Sequence, residues 1–341
     1  MKTLVTGATG FLGSHVARQL AERGESVRVL VRPTSDLRAL EGYEAERFTG
    51  DLRDAASLDR ALVDVNRVFH VAADYRLWAR DPREIYESNV TGTRNLLDAA
   101  RRAGVEKFVY TSTVATIAVP RDGELPNEAT QAAFGEMIGH YKRSKFQAEQ
   151  LAMRAAEAGL PVVIVNPTTP VGPGDWKPTP TGKIIVDFLN GRMPGYVDTG
   201  LNFVPVEDCA RGHLLAADRG RIGERYILGG RNLSLKQMLD ILAAISGRRA
   251  PRWKFPHVLA YAAGCVDTAV ARLAGREPQI PLDGVRMARH KMFVDASKAG
   301  REIGFEPGPI EAALERASRW YEVNGYVTAR GAQAVARAHA A

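Results

Sequence analysis

The start of this chain constrains it most. An apolar run, Leu4-Val5, leads into Thr6-Gly7-Ala8-Thr9-Gly10-Phe11-Leu12-Gly13 and then into a helical pattern, Ser14-His15-Val16-Ala17-Arg18-Gln19-Leu20. A strand, a glycine turn and a helix N-terminus in succession make a site for a pyrophosphate. Free backbone N–H groups and the helix dipole point at the anion, and glycines let the backbone come close. The fold expected is α/β, a Rossmann-type doubly wound parallel sheet with a smaller C-terminal substrate lobe.

Strand and helix patterns alternate from there, as such a sheet requires. Ser26–Val31, Glu44–Thr49, Arg67–Val71, Lys107–Tyr110 and Val162–Val165 read as strands, with a long helix from about Glu84 to Ala103. The rhythm breaks beyond Pro170, where Gly172–Pro180 is rich in turns. Short helices are expected near Ile184–Asn190, Leu235–Ile245, His257–Leu273 and Ile310–Asn324. The expected division is a dinucleotide-binding domain over 1–170 with returning segments near 203–230, a substrate lobe over 171–325, and a weakly structured tail over 326–341. A loop is expected from Pro120 to about Met137.

The end of the second strand is where a dinucleotide fold selects its cofactor. An acid there binds both adenosine ribose hydroxyls and repels a 2′-phosphate. This chain has Val31-Arg32, with Arg38 soon after. A guanidinium grips a phosphate through two parallel hydrogen bonds, so NADP(H) is the cofactor expected. NAD(H) is the alternative if Arg32 is only an exposed loop residue, or if Asp36 neutralises it. Ala72-Ala73, at the end of the fourth strand, are small enough for a cofactor to lie flat over the sheet edge.

Bulk properties narrow the class. The chain has 341 residues, 45% apolar and 25% charged, an ordinary globular composition. Cys209 and Cys265 build no disulfide framework and lie near no ligand at metal spacing, so no metal is expected. The net charge of +7 comes with scattered arginines and no basic stretch interleaved with aromatics, which points to phosphate-bearing ligands rather than nucleic acid. No leader is read at the N-terminus, and no run of about 18 apolar residues exists to span a membrane. The most apolar piece, Val258–Val266, is expected to be a buried helix. The location expected is the cytoplasm.

Tyr141 and Lys145 are four apart and share a helix face. An ammonium near a phenol lowers its pKa, making Tyr141 a general acid or base near neutral pH. Thr113 stands at the end of the fifth strand, where a hydroxyl can bind the substrate oxygen. Ser112 points the other way if strand geometry persists. Both hydroxyls can instead satisfy local backbone groups. Tyr75, Trp78 and Tyr196 could pack a ring or apolar tail near the cleft, although core packing is the more frequent role of such residues.

Gly7-x-x-Gly10-x-x-Gly13, Asp51-Leu52, Ala72-Ala73, Asn89, the hydroxyl strand end and Tyr141-x-x-x-Lys145 together resemble the extended short-chain dehydrogenase/reductase superfamily, over residues 1 to about 325. That group includes sugar-nucleotide epimerases, dihydroflavonol reductases and 3β-hydroxysteroid dehydrogenases. The resemblance implies that Tyr141 is the catalytic acid/base, Lys145 its activator and a ribose ligand, and Asn89 part of a proton relay. Thr113 takes the place where the family usually has serine, and its extra methyl leaves Ser112 open as the real partner. Gly7, Thr9, Gly10, Phe11, Leu12, Gly13, Asp51, Leu52, Ala72, Ala73, Thr111 and Pro167 fall to the cofactor, with Asp51 and Leu52 beside the adenine. Tyr75 and Asn166 join Thr113 at the substrate. Dimerisation through the Pro82–Ala103 and Tyr141–Glu157 helices is typical of such relatives.

His70–Pro82, Ile138–Phe146 and Lys177–Gly182 are similar to the hopanoid-associated sugar epimerase group. This similarity suggests a sugar-like substrate on the hopanoid side chain, met by a cytoplasmic protein at the inner membrane surface. Arg32 suits a reductase drawing on NADPH better than an epimerase that recycles a tightly held cofactor. The expectation is therefore net reduction or oxidation of a carbonyl/alcohol pair in a sugar-like or polyol substrate. A sugar-nucleotide epimerase or dehydratase with bound NAD(P) is the alternative, and a non-catalytic dinucleotide sensor a third reading.

Overall fold

The computed structural model describes residues 1–117 and 125–328. Part of the expected Pro120–Met137 loop, and all but the first three residues of the expected tail, lie outside the described residues. Strands and helices alternate up to Pro167: β1 (Lys2–Thr6), α1 (Phe11–Glu22), β2 (Ser26–Val31), β3 (Glu46–Thr49), α2 (Ala55–Ala61), β4 (Arg67–His70), α3 (Arg83–Tyr86), α4 (Gly92–Ala103), β5 (Lys107–Thr111), α5 (Gly139–Glu157) and β6 (Val162–Pro167). There follow β7 (Thr169–Val171), α6 (Pro180–Leu189), β8 (Gly195–Val197), β9 (Gly200–Pro205), α7 (Val206–Arg219) and β10 (Arg225–Leu228).

Seven strands form one parallel sheet in the order β10-β6-β5-β4-β1-β2-β3. Its central strands are covered on both faces, so they run apolar instead of alternating. Leu4, Val5, Val68, Phe69, Phe108, Val109 and Val162 through Val165 have no exposed surface. Helices α1 and α7 pack on one face, and α2, α4 and α5 on the other. The order of strands reverses between β1 and β4. The crevice beyond their carboxyl ends is where such sheets bind ligands.

The long helix expected over about Glu84–Ala103 is interrupted. Between α3 and α4 lies a π-helical turn, Glu87–Thr91, with Asn89 buried in it. Such single turns inside α-helices are frequent at functional sites.

The remaining elements are β11 (Arg231–Ser234), α8 (Leu235–Ser246), β12 (Trp253–Phe255), α9 (His257–Leu273), α10 (Leu282–Met287), β13 (Lys291–Met292), α11 (Ser297–Ile303) and α12 (Ile310–Val323). Strands β7, β9, β11 and β13 make a small mixed sheet. A separate apolar cluster forms around Phe188, Leu189, Phe203, Leu239, Leu242 and Leu314.

Helix α9 corrects one expectation. It is not a buried helix: of its residues only Gly264 and Ala271 are buried, while Val258, Leu259, Val266, Val270 and Leu273 are exposed. The sequence is apolar almost all round this helix, so its periodicity does not say which side faces in.

Candidate active site

The glycine turn builds the first part of the crevice. Gly7 has φ +75°, and a Cβ there would stand 2.6 Å from the Ala72 nitrogen at the end of β4. A Cβ on Gly13 would overlap the Gly7 carbonyl oxygen, so α1 can lie this close only without side chains. Gly10 caps α1 with no side-chain hydrogen bond, and the first turn holds no acid. Unmet N–H groups of Phe11, Leu12 and Gly13 beside a positive helix end fit a pyrophosphate, the anionic centre of a dinucleotide. Thr9 and Ala73 border the turn, partly exposed.

Asp51 follows β3 and pairs with Arg53 at 2.7 Å, which holds its carboxyl below the usual range. Leu52 packs against Gly92 of α4 and accepts from Asn95 Nδ2 through its carbonyl at 3.0 Å. Arg32 is exposed at the end of β2, and its guanidinium has no hydrogen-bond or ion-pair partner among the described residues. Asp36, which could have neutralised it, bonds Arg38 at 2.9 Å instead. Arg38 in turn stacks 4.6 Å over the Trp176 ring.

The hydroxyl groups meet around the first turn of α5. Thr113 stands close enough to Tyr141 to act on its phenol, and Thr113 Oγ1 accepts from the Ala115 N–H at 3.3 Å. Ser112 is buried, and its hydroxyl lies 3.4 Å from that of Thr116. Thr113 is thus the hydroxyl brought to Tyr141. Thr111 turns its hydroxyl away from the crevice, 3.1 Å from His213 Nε2 on α7.

The electrostatics of the pair run opposite to the sequence expectation. Burial raises the Tyr141 pKa, partly offset by the neighbouring Thr113 hydroxyl. Lys145 Nζ donates to Tyr110 Oη at 3.0 Å and to the Thr111 carbonyl at 2.8 Å. Burial pushes that ammonium down to about 7. Desolvation dominates at both groups, so Tyr141 holds its proton and suits the role of a proton donor.

Behind Lys145 runs a buried hydrogen-bonded chain. A lysine has only donors, so Tyr110 Oη accepts and its own O–H is free to turn toward the nearby Thr93 hydroxyl. Thr93 Oγ1 lies 2.9 Å from His70 Nε2, and His70 Nδ1 lies 2.7 Å from Thr6 Oγ1. Burial depresses His70 to about 3, so the ring stays neutral. Thr6 Oγ1 also receives the Ala72 N–H at 3.3 Å, which ties the lysine to the glycine turn.

Two expected roles shift. Asn89 bonds neither Tyr141 nor Lys145 through its side chain. Its Oδ1 accepts from Asp74 N at 2.7 Å, while Nδ2 donates to the Asp74 carbonyl and to Ser144 Oγ, both at 2.9 Å. It clamps the segment after Ala73 to α5. Asn166, expected at the substrate, is fully buried. Its Nδ2 donates to Glu149 Oε2 at 2.8 Å, Thr116 Oγ1 at 3.2 Å and the Thr113 carbonyl at 3.1 Å, so it braces Thr113 from beneath. Glu149 is paired with Arg225 at 3.2 Å. Pro167 is buried at the end of β6, beside Leu228 of β10.

Tyr75 is partly exposed, with its pKa raised to about 12 by burial and by the nearby charges of Asp175 and Asp74. No ring contact joins Tyr75, Trp78 and Tyr196 among the described residues. The aromatic cluster is instead Trp176, Trp320, Tyr321 and Tyr326. Two residues escape sequence reasoning. Lys142, beside Tyr141, is buried against Met292 Sδ at 3.9 Å and pushed by burial to about 8. Asp175 is buried and accepts from Tyr321 Oη at 2.7 Å and from Thr179 N at 2.8 Å. Nothing local marks Lys142, whereas the turn-rich Gly172–Pro180 segment pointed to the neighbourhood of Asp175.

A dinucleotide turn at the switch point of a parallel sheet, facing a tyrosine, a threonine and a buried lysine, defines an extended short-chain dehydrogenase/reductase, an enzyme class of NAD-dependent oxidoreductases, epimerases and dehydratases. The chain belongs to the NAD-dependent epimerase/dehydratase family, whose model matches residues 3–229. It is 46% identical over 95% of each chain to the "Putative dihydroflavonol 4-reductase" of Synechocystis sp.. It is 37% identical to Sterol demethylase protein B of Methylococcus capsulatus, over 96% of this chain and 100% of that one. The crystal structure of gox2253 superposes with a TM-score of 0.86 at 47% identity, covering 96% of this chain and 99% of that one. The cofactor is a nicotinamide dinucleotide.

Proposed function

We propose that this protein is an NADP(H)-dependent reductase, or dehydrogenase in reverse, acting on a carbonyl/alcohol pair of a sugar-like or polyol substrate carried on an apolar, lipid-linked body. The hopanoid side chain is the specific case suggested by His70–Pro82, Ile138–Phe146 and Lys177–Gly182. The observation that carries the cofactor choice is Arg32, exposed at the end of β2 while Asp36 is engaged by Arg38. Relatives named for a dihydroflavonol and a sterol support an apolar substrate body.

When bound, the nicotinamide supplies or accepts a hydride at the carbonyl carbon. Tyr141, protonated at neutral pH, gives its proton to the carbonyl oxygen, and Thr113 orients that oxygen. Lys145 would hold the ribose hydroxyls of the bound cofactor through its ammonium, which in the free protein donates to Tyr110 Oη and the Thr111 carbonyl. The segments after Pro170 would form the substrate lobe, and α4 with α5 the contact of a homodimer.

Titration with NADPH and NADH tests this reading. Wild type is expected to prefer NADPH. Arg32→Ala should weaken NADPH binding by about tenfold to a hundredfold, the worth of charge-assisted bonds to a phosphate, and leave NADH nearly unchanged. A wild-type preference for NADH would overturn it.

A further inference from the structure

Helix α9 presents an outward face without a charge. At 100° per residue, Val258, Ala269, Ala262, Leu273, Val266, Leu259, Val270 and Ala263 fall in that sequence around a little under half the circumference, and all are exposed. Leu273 is 91% exposed and Val258 76%. Just before the helix, Trp253 is 75% exposed and Phe255 is exposed beside it. Monomeric proteins rarely show water so large a contiguous apolar surface.

Charge tells what covers it. Residues 248–291 contain nine Lys and Arg against three Asp and Glu, a surplus of six in a chain whose whole surplus is seven. Lys254 and Lys291 pair with Asp198, Arg276 with Asp267, and Arg286 with Asp283. Arg249, Arg252, Arg272 and Arg289 are exposed and have no acidic partner among the described residues. The helix is about 25 Å long and interrupted by Asp267 and Arg272, and no described helix is long and apolar enough to cross a membrane.

We propose that α9, with the Arg248–Phe255 segment before it, lies flat on an anionic lipid surface. Its valines and leucines enter the acyl boundary, Trp253 sits at the headgroup level, and the unpaired arginines meet lipid phosphates. An apolar face, an aromatic anchor and a basic surround form the pattern of an interfacial helix. A second copy docked on the same face would bring the unpaired Arg249, Arg252, Arg272 and Arg289 of two copies together, which disfavours a symmetric dimer there. The proposal goes beyond the reductase reading and does not rest on it, because lipid binding is measured without cofactor or substrate.

The test is co-sedimentation of the full chain with vesicles of phosphatidylcholine, with and without phosphatidylglycerol. Binding is expected only with phosphatidylglycerol, falling as salt is raised. Leu259→Glu/Val266→Glu, on the exposed face, should weaken it at least about tenfold while the melting temperature of the free protein stays near the wild-type value. Arg249→Glu/Arg252→Glu should weaken it as well. A blue shift of tryptophan emission on adding vesicles should vanish in Trp253→Phe. No binding to anionic vesicles, equal binding by Leu259→Glu/Val266→Glu, or a concentration-dependent dimer dissolved by that same pair would overturn the proposal.

Discussion

Helices α5 and α9 are nearly equal in length, 19 and 17 residues, and are built inside out with respect to each other. The first buries Lys142, Ser144, Lys145 and Glu149 among its alanines. The second buries one glycine and one alanine and turns valines and leucines to the outside. On α5 each buried polar group has a contact: Lys145 with Tyr110 and the Thr111 carbonyl, Glu149 with Arg225, Thr116 and Asn166, Ser144 with Asn89, and Lys142 with a methionine sulfur. Burial of polarity marks where chemistry is done, and exposure of apolar surface marks where another phase is met. Apolar content alone distinguishes neither.

The largest effect expected is at Tyr141. Tyr141→Phe removes the proton donor and should lower turnover by about a hundredfold to ten-thousandfold, with coenzyme affinity and melting temperature nearly unchanged. Steady-state rates beside a coenzyme titration check this, and near wild-type turnover would move the acid elsewhere.

Next comes the contrast in packing. Ala148, fully buried on α5, should not tolerate an acid: Ala148→Glu is expected to cost roughly 3 kcal/mol or more, from overpacking and an unpaired buried charge. Val266→Glu on α9 should stay within about 0.5 kcal/mol, as for an ordinary surface change. Chemical denaturation of both variants gives the two values, and equal costs would erase the difference between the helices.

A finer effect concerns pH. Lys145 has a folded pKa of about 7, below its free value of 10.5. Between those values the unfolded chain holds a proton that the folded chain lacks, so stability should rise with pH through that window. Lys142, at about 8, contributes in the same direction. Lys145→Met should therefore be more stable than wild type near pH 7 and show a shallower rise above it, read from unfolding midpoints at stepped pH. An unchanged slope would mean that the ammonium is hydrated in the folded protein.

What the sequence made legible was local. Gly7, Gly10 and Gly13 are read from a turn that allows no side chains, and the strands from short apolar and β-branched stretches that alternate with helical patterns. Tyr141 and Lys145 are read from helical spacing. The rest depends on contacts distant along the chain. The resemblance put Asn166 at the substrate, but Glu149 and Thr116 claim its amide. The fall of Lys145 and the rise of Tyr141 come from desolvation, which exists only once the sheet and α5 have closed over them. The orientation of α9 was hidden by apolar residues nearly all round it.

The central claim is net hydride transfer, and coenzyme stoichiometry tests it most directly. Protein purified without added coenzyme should carry no bound NAD(H) and should oxidise one NADPH for each carbonyl it reduces. Conversion of a sugar nucleotide with no net change in coenzyme, by protein that arrives with NAD(H) bound, would contradict the account.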